Sequence, residues 1–174
     1  YSDFYDHAVH AIDLDGNDER IVEVESQPSG LGWLPNGDLL VTSMLDRKLM
    51  RWNGSELTTH ADLGAHFTWH ANDLLVDQQG RAYIGNFGFD FEVFLDEQGI
   101  EGLFADPDSL TTVMCRVDPD GTINIASDGL IFPNGMVITP DGKTMIVAET
   151  LALRLTAFDI AADGSLSNRR VWAD

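Results

Sequence analysis

A repeated strand–turn–strand frame is the feature that most constrains how this chain can fold. In residues 132–149 an apolar run, a Pro-Asp-Gly turn and a second apolar run follow one another. A small polar residue stands eight positions ahead of the turn glycine, and the same spacing recurs twice upstream. Copies in one register predict a repeat fold. The polar leaders and their turn glycines are Ser29 with Gly37, Asn72 with Gly80, and Asn134 with Gly142.

Turn signals divide the rest of the chain into short runs. Asn-Gly and Asp-Gly dipeptides between apolar runs are typical of tight hairpins, because both residues tolerate positive φ. No window shows a convincing apolar period of 3.6 residues, whereas short alternating runs are frequent. The sequence therefore predicts an all-β protein with almost no helix. The dipeptides are at residues 15–16, 36–37, 53–54, 120–121, 141–142 and 163–164.

The spacing of the repeats predicts blades of a β-propeller. Gly37 and Gly80 are 43 positions apart, close to the roughly 40 residues of a four-stranded propeller blade. Gly80 and Gly142 are 62 positions apart, so the middle unit carries an insert, assigned to residues 87–110. Such an insert lies on one face and often serves binding; the alternative is a loop without function. One partial propeller domain over 1–174 is predicted: an incomplete blade over 1–26 and blades over 27–63, 69–129 and 131–174.

Composition narrows the class of protein. Hydrophobic residues make up 44% of the chain and charged residues 22%, as in folded domains. The net charge of −19 repels phosphate backbones, so no nucleic-acid partner is expected. No apolar run approaches the ~20 residues of a membrane helix, so no membrane partner is expected. Cys115, the only cysteine, is predicted to be buried and unpaired. The compartment stays unknown, with the cytoplasm favoured.

The starts of the inner strands are the predicted site. In a propeller these strands line a central channel, so Ser29, Asn72 and Asn134 should face one axis. Their oxygens suit a hard cation or a sugar-like ligand; the alternative is ordinary turn chemistry before a strand. Asp73 should point away from the axis by strand alternation. His70 should sit at the channel rim, and Glu149, at the end of a strand, is interpreted as structural.

Several stretches resemble the senescence marker protein, gluconolactonase and luciferin-regenerating enzyme family. The resemblance implies a six-bladed β-propeller, here incomplete with about three to four four-stranded antiparallel blades. Family members are typically lactonases that hold one divalent metal, calcium or zinc, in the channel. The stretches are PSGLGWLPNGDLLVTSM (residues 28–44), HANDLLVDQQGRAYIGNFGFD (70–90), FPNGMVITPDGKTMIVAET (132–150) and LTAFDIAADGSLSNRRVWA (155–173).

The resemblance also implies roles for single residues. Asn134 matches the family's metal-ligating Asn, and Asn72 matches an Asn that contacts water or substrate beside the metal. His70 stands where some members have a substrate-binding Arg, which leaves the substrate class open. The family's metal-binding Glu would precede Tyr1, and its metal-binding Asp, the expected general base, would follow Asp174. No catalytic residue is therefore expected within this chain, and the metal should be weakly held or absent.

Two functions from different classes follow. The first is a metal-dependent lactonase that hydrolyses a sugar or related lactone, gluconolactonase-like, and is inactive or incomplete as this chain. The second is a non-catalytic propeller module that binds a small molecule or a partner chain. Because an incomplete ring leaves strand edges and apolar faces uncovered, a homo-oligomer through the open blade edges is expected.

Overall fold

Four antiparallel sheets form the chain, and the computed structural model describes all of residues 1–174. The first sheet has three strands, β1 (Ser2–Asp3), β2 (Ala8–Ile12) and β3 (Asp18–Glu23). The second blade contains β4 (Pro28–Trp33), β5 (Leu39–Ser43), β6 (Lys48–Trp52) and β7 (Leu57–Asp62). The third contains β8 (Ala71–Val76), β9 (Ala82–Asn86), β10 (Thr111–Val117) and β11 (Ile123–Ile131). The fourth contains β12 (Pro133–Ile138), β13 (Thr144–Glu149), β14 (Arg154–Ile160) and β15 (Leu166–Ala173).

The arrangement of the sheets is that of an incomplete propeller, which confirms the predicted fold class. In each of the last three blades the strands are hydrogen-bonded in chain order, so the first strand of the blade lies at one edge. These edge strands contact one another, with β8 packed between β4 and β12. They are therefore the inner strands around a common axis.

Apolar side chains fill the spaces between the blades. One buried cluster joins the second blade to the third, and another joins the third blade to the fourth. Cys115 lies in the former, buried and without a disulfide, as predicted. Its burial raises the pKa of the thiol to about 12, so the thiol stays protonated at neutral pH.

The segment between β9 and β10 is helical, so the prediction of almost no helix was wrong there. It contains the helix α1 (Phe91–Ala105) and a short 3₁₀ turn over Pro107–Leu110. Gly99, with φ of +66°, divides α1 into two short pieces. Neither piece is long enough to show the 3.6-residue period of apolar residues from which a helix is predicted. Tertiary packing stabilises the segment, because Leu103 is buried against the fourth blade.

No helix of the chain, α1 included, has the length and the apolar character needed to span a bilayer.

A hairpin turn of the fourth blade is fixed on the third blade by polar contacts. The Tyr83 hydroxyl donates to the Gly164 carbonyl at 2.8 Å, and Arg81 Nη1 donates to the Ala162 carbonyl at 3.0 Å. Arg81 is itself held by Asp77, with 2.6 Å between Nε and Oδ2. Gly164 has φ of +82°, and a Cβ there would lie 2.7 Å from the Arg81 guanidinium. This contact leaves no room for a side chain.

We predict that Gly164→Ala destabilises the protein more than Gly142→Ala. Gly142 has φ of +71° and open space around it, so alanine there adds only the left-handed backbone cost of about 1–2 kcal/mol. At Gly164 the clash with Arg81 adds about 1–3 kcal/mol of overpacking. Urea unfolding of both variants measures the difference, and equal losses of stability would contradict the docking of this turn on Arg81.

Candidate functional site

Each inner strand carries a β-bulge at the same place. The pairing of β4 with β5, of β8 with β9 and of β12 with β13 shifts register just after the strand begins. A bulge leaves residues unpaired and re-aims their side chains, and bulges are common next to functional sites. The residues between the flanking pairs are Ser29 and Gly30, Asn72 and Asp73, and Asn134 and Gly135.

The polar residues of the repeat meet in one hydrogen-bonded chain. Ser29 Oγ donates to Asn72 Oδ1 at 3.4 Å, and Asn72 Nδ2 donates to Asn134 Oδ1 at 3.3 Å. Asn134 Nδ2 in turn donates to Thr150 Oγ1 at 3.0 Å. Asn72 is buried and Asn134 half-buried, so Asn134 is the more accessible member of the amide pair. Thr150, just beyond β13, belongs to this series of hydrogen bonds, although the sequence did not identify it as a site residue.

Asp73 lies in the bulge of β8, where simple strand alternation does not apply. Its Oδ2 reaches to within 4.0 Å of the position a Cβ would take on Gly135 of β12, so the side chain lies beside the neighbouring inner strand. The expectation that it points away from the axis stays a prediction. On its other side the backbone of β8 touches Gly30, where a Cβ would meet the Leu74 nitrogen at 2.2 Å. Burial alone raises the pKa of this half-buried carboxyl, since no charged group or hydrogen-bond donor stabilises its ionised form.

His70 sits at the channel mouth within a group of aromatic rings. It stacks on Trp69, with ring centroids 4.8 Å apart, and meets the edge of Phe87 at 6.0 Å. Burial lowers the pKa of His70 from its ordinary value of 6.5, so the imidazole is neutral at pH 7. Phe87 packs on Phe132 at 4.7 Å, and Phe132 lies 6.2 Å from Phe91. The insert therefore lies at the mouth that carries Asn72.

Glu149 is held in a buried network, which agrees with a structural role. It is 1% exposed and pairs with Arg154 at 3.0 Å and with Arg169 at 3.4 Å. The Ile131 amide donates to Oε2 at 2.9 Å, and Thr156 Oγ1 donates to Oε1. Burial acts to raise the pKa of Glu149, but the bonds from Arg154, Thr156 and Ile131 together outweigh burial and lower it. The carboxylate is thus fully engaged.

The oxygens at the mouth do not make a complete metal site by themselves. Amide oxygens of Asn72 and Asn134 and the carboxylate of Asp73 are hard donors of the kind calcium accepts. Calcium takes 6–8 oxygen ligands, however, and the Asn oxygens already accept hydrogen bonds from within the protein. The chain has no group of three or more His, Cys, Asp or Glu side chains that could hold a metal ion.

A well-defined cleft of the molecule lies elsewhere. It measures about 460 Å³ and separates the third and fourth blades at the ends of their inner strands, opposite the mouth. The charged groups that line it are already paired, since Arg81 binds Asp77 and Asp141 accepts from Thr139. The amide pair and the unpartnered Asp73 place the candidate site at the mouth instead.

The pattern of an SMP-30/Gluconolactonase/LRE-like region matches residues 1–174. The chain belongs to this family. Solved structures with the same fold include a gluconolactonase from Xanthomonas campestris, 23% identical with a TM-score of 0.72. The comparison covers 98% of this chain and 57% of that enzyme.

Two further structures are similar. A luciferin-regenerating enzyme is 19% identical with a TM-score of 0.74, over 97% of this chain and 54% of that one. Regucalcin from Agrobacterium tumefaciens, described as a calcium-binding protein, is 19% identical with a TM-score of 0.69, over 97% and 52%. The chain therefore spans little more than half the length of these proteins, and at these identities they share its fold.

We predict that Glu149→Gln lowers the free energy of unfolding by about 1–3 kcal/mol at pH 7, because the charged hydrogen bonds of Arg154 and Arg169 lose their anion. The folded-state pKa of Glu149 is depressed, so its stabilisation is present above about pH 4.5 and is lost as the pH falls below that value. Denaturant unfolding between pH 7 and pH 3 measures the difference, which should shrink toward acid.

Asp159→Asn is the matched control for this experiment. Asp159 pairs with Arg170 on the neighbouring strand, but its side chain is 48% exposed, so its loss should lower stability much less than the loss of the buried Glu149 charge. A wild-type-like Glu149→Gln protein would show that the buried network contributes little.

Proposed function

We propose that the channel mouth binds and opens a cyclic ester, as part of a lactonase-like propeller. The observation that carries the proposal is the amide pair of Asn72 and Asn134 beside the unpartnered carboxylate of Asp73, at aligned bulges of adjacent inner strands. Family membership over residues 1–174 and the shared fold with a gluconolactonase support the same reaction class.

The side chains of this chain suit distinct steps of ester hydrolysis. Asn72 Nδ2 donates to the carbonyl oxygen of the lactone in place of its 3.3 Å bond to Asn134 Oδ1, or Asn134 Nδ2 does so in place of its 3.0 Å bond to Thr150. The Asp73 carboxylate accepts a proton from a water molecule as the water oxygen attacks the carbonyl carbon. The ring C–O bond then breaks, and Asp73 returns the proton to the departing alkoxide oxygen. The product is an open hydroxy acid.

The position of Asp73 favours its use as a base. A carboxylate that accepts no protein hydrogen bond is free to bind water, and its raised pKa makes it a stronger base than an ordinary Asp. Two other acids, Asp3 and Glu149, are already occupied by hydrogen bonds within the protein. Asp3 accepts the Tyr5 and Asp6 amides at 2.8 and 2.9 Å, and Glu149 is buried in its network.

A divalent cation is part of the proposal only for a more complete ring. Carboxylates from additional blades would have to join Asn134 and Asn72 to reach the ligand number of calcium. Calcium is favoured over zinc because the mouth offers oxygens and a single imidazole. The similarity to regucalcin, described as calcium-binding, supports this choice.

A non-catalytic binding module is the second candidate. The inner strands β4, β8 and β12 carry one carboxylate, Asp73, so few acid or base groups are available for catalysis, and this favours binding without chemistry. On this reading His70 and Asn72 contact a small molecule or partner chain without chemistry. Binding without turnover distinguishes this candidate from the first.

We predict that Asp73→Asn lowers lactone hydrolysis by this chain by about 10²–10⁴-fold, because the amide cannot accept the proton of water. Wild-type activity should fall as the pH drops through a pKa above the ordinary Asp value of 3.8, since the ionised form is required. A pH-stat assay with several lactones, with and without calcium, measures both effects.

Asp128→Asn is the control, because Asp128 is exposed on β11, away from the inner strands. It should leave hydrolysis unchanged. Equal rates for wild type and Asp73→Asn would remove Asp73 from the mechanism. Complete absence of hydrolysis with measurable ligand binding would favour the binding module.

We also propose that the chain forms a homo-oligomer through the fourth blade. Val137, Leu155 and Trp172 of this blade are 57%, 38% and 53% exposed, although they lie on strands of an otherwise well-packed sheet. Burying such side chains contributes roughly 25 cal/mol per Å². A second copy of the chain offers the same unpaired faces.

Sedimentation velocity at micromolar concentration should therefore show a dimer or larger species for the wild type. Leu155→Lys should shift the distribution toward monomer, because it places a charge in the contact. Ile125→Lys, at a 49% exposed position on the outer strand of the third blade, should not. A monomeric wild type would refute the proposal.

A further inference from the structure

Aromatic rings form a continuous surface directly above the amide pair. His70 and Phe132 each stand two positions ahead of Asn72 and Asn134, at the entry to neighbouring inner strands. Phe87 bridges them, with ring centroids 6.0 Å from His70 and 4.7 Å from Phe132. We name these rings, together with Trp69 and Phe91, the aromatic shelf. A ligand whose carbonyl reaches the amides must pass along it.

The shelf is fixed by the same residue that orients Asn134. The Thr150 amide donates to the Phe132 carbonyl at 3.1 Å, and the Thr150 hydroxyl accepts from Asn134 at 3.0 Å. Phe132 adopts φ of +51°, an unusual conformation for a bulky residue that surrounding contacts must hold in place. The ring and the amide are thus held in one spatial relation.

The insert completes the shelf and attaches it to the fourth blade. Phe87 and Phe91 belong to the insert, and Phe91 lies 6.4 Å from Phe87 and 6.2 Å from Phe132. Buried Leu103 of α1 packs in the same cluster as Ile131, which directly precedes Phe132. The aromatic shelf therefore extends across the third and fourth blades and is held in place by these contacts. All of its rings are half-buried.

The rings of the shelf offer few polar atoms to the hydroxyl groups of a sugar, namely the nitrogens of His70 and Trp69. Neutral His70 carries no charge at pH 7, and Arg47 Nη1 is bound to the Phe67 carbonyl at 3.1 Å. A polyhydroxylated ring needs a donor or acceptor for most hydroxyls, and unpaired hydroxyls against aromatic carbon weaken binding. The net charge of −19 also disfavours anionic ligands.

We propose that the preferred ligand is an uncharged lactone with an apolar, preferably aromatic, ring next to the ester, and not a polyhydroxylated sugar lactone. Its ring stacks on Phe87 and Phe132 while its carbonyl reaches Asn72 and Asn134. This inference rests on the proposed function, because it names the substrate class of the same site. It makes Phe87 and Phe132 the residues that determine specificity.

Binding and turnover are tested separately. The binding probes are 3,4-dihydroquinolin-2-one, a stable lactam of the aryl-fused type, and gluconolactam, its polyhydroxylated counterpart. Titration calorimetry of the full chain should give at least tenfold tighter binding of the aryl lactam. Phe87→Ala should weaken that binding by about 5–10-fold, the factor expected for loss of one aromatic pair. Hydrolysis of dihydrocoumarin and of δ-gluconolactone is then measured on the same preparations.

Two further variants keep the test decisive. Phe87→Leu retains apolar volume without the aromatic face, so it should fold even if Phe87→Ala does not, and should also bind the aryl lactam more weakly. Phe104→Ala is the matched control, because Phe104 lies in the same insert, is 49% exposed and is outside the shelf. It should bind like the wild type.

The outcomes separate this inference from the proposed function. Loss of aryl binding in both Phe87 variants, with Phe104→Ala unchanged, supports the aromatic preference. Tighter binding of gluconolactam, or binding of neither probe, overturns it. Hydrolysis of δ-gluconolactone that depends on Asp73 while the aryl lactam fails to bind would leave the proposed function standing without this inference. Binding of the aryl lactam without hydrolysis of either lactone would support this inference and contradict the proposed function.

Discussion

The close packing of β8 between β4 and β12 is the constraint on which the site depends. Gly30 allows the backbone of β8 to approach so closely that a Cβ would meet the Leu74 nitrogen at 2.2 Å. Only at this separation can short side chains from three strands form one hydrogen-bonded chain, from Ser29 through Asn72 to Asn134. The aligned bulges then turn the polar side chains toward the axis instead of into the apolar spaces between blades. Site and core therefore use the same strands without competing for the same volume.

The neighbouring side chains give two carboxylates, Glu149 on β13 and Asp73 on β8, different roles. Glu149 is surrounded by two guanidinium groups, a hydroxyl and an amide, so its charge is neutralised where water does not reach. Asp73 has a glycine on either neighbouring strand and no donor in the protein. The first has its lone pairs occupied and stabilises the fold. The second keeps its oxygens for a ligand, which is why the proposed chemistry centres on it.

The insert changes the character of the mouth without changing the blades. The strands on either side of the insert, β9 and β10, pair as in the other blades, while its helix packs on the fourth blade through the buried cluster that Leu103 shares with Leu151. The result is that the aromatic shelf lies next to the amide pair of Asn72 and Asn134. Such a combination gives a ligand both apolar contact and orientation by a few polar groups, as in most small-molecule sites. The inner strands supply Asn72 and Asn134, and the insert supplies Phe87 and Phe91.

The sequence by itself determined the strands, the turns and the common register of Ser29, Asn72 and Asn134, because hairpin chemistry and apolar alternation are local properties read from neighbouring residues. It also located the insert in the middle unit, at residues 87–110, from the spacing of the turn glycines. Only the tertiary structure decided that the insert is helical, since Gly99 breaks its period and packing on the fourth blade stabilises it. Only the structure revealed that Asp73 lies in a bulge beside Gly135 of β12, because a bulge depends on which residues pair across strands. The aromatic shelf likewise joins His70, Phe87 and Phe132, residues far apart in sequence, and such a surface exists only once the blades are side by side.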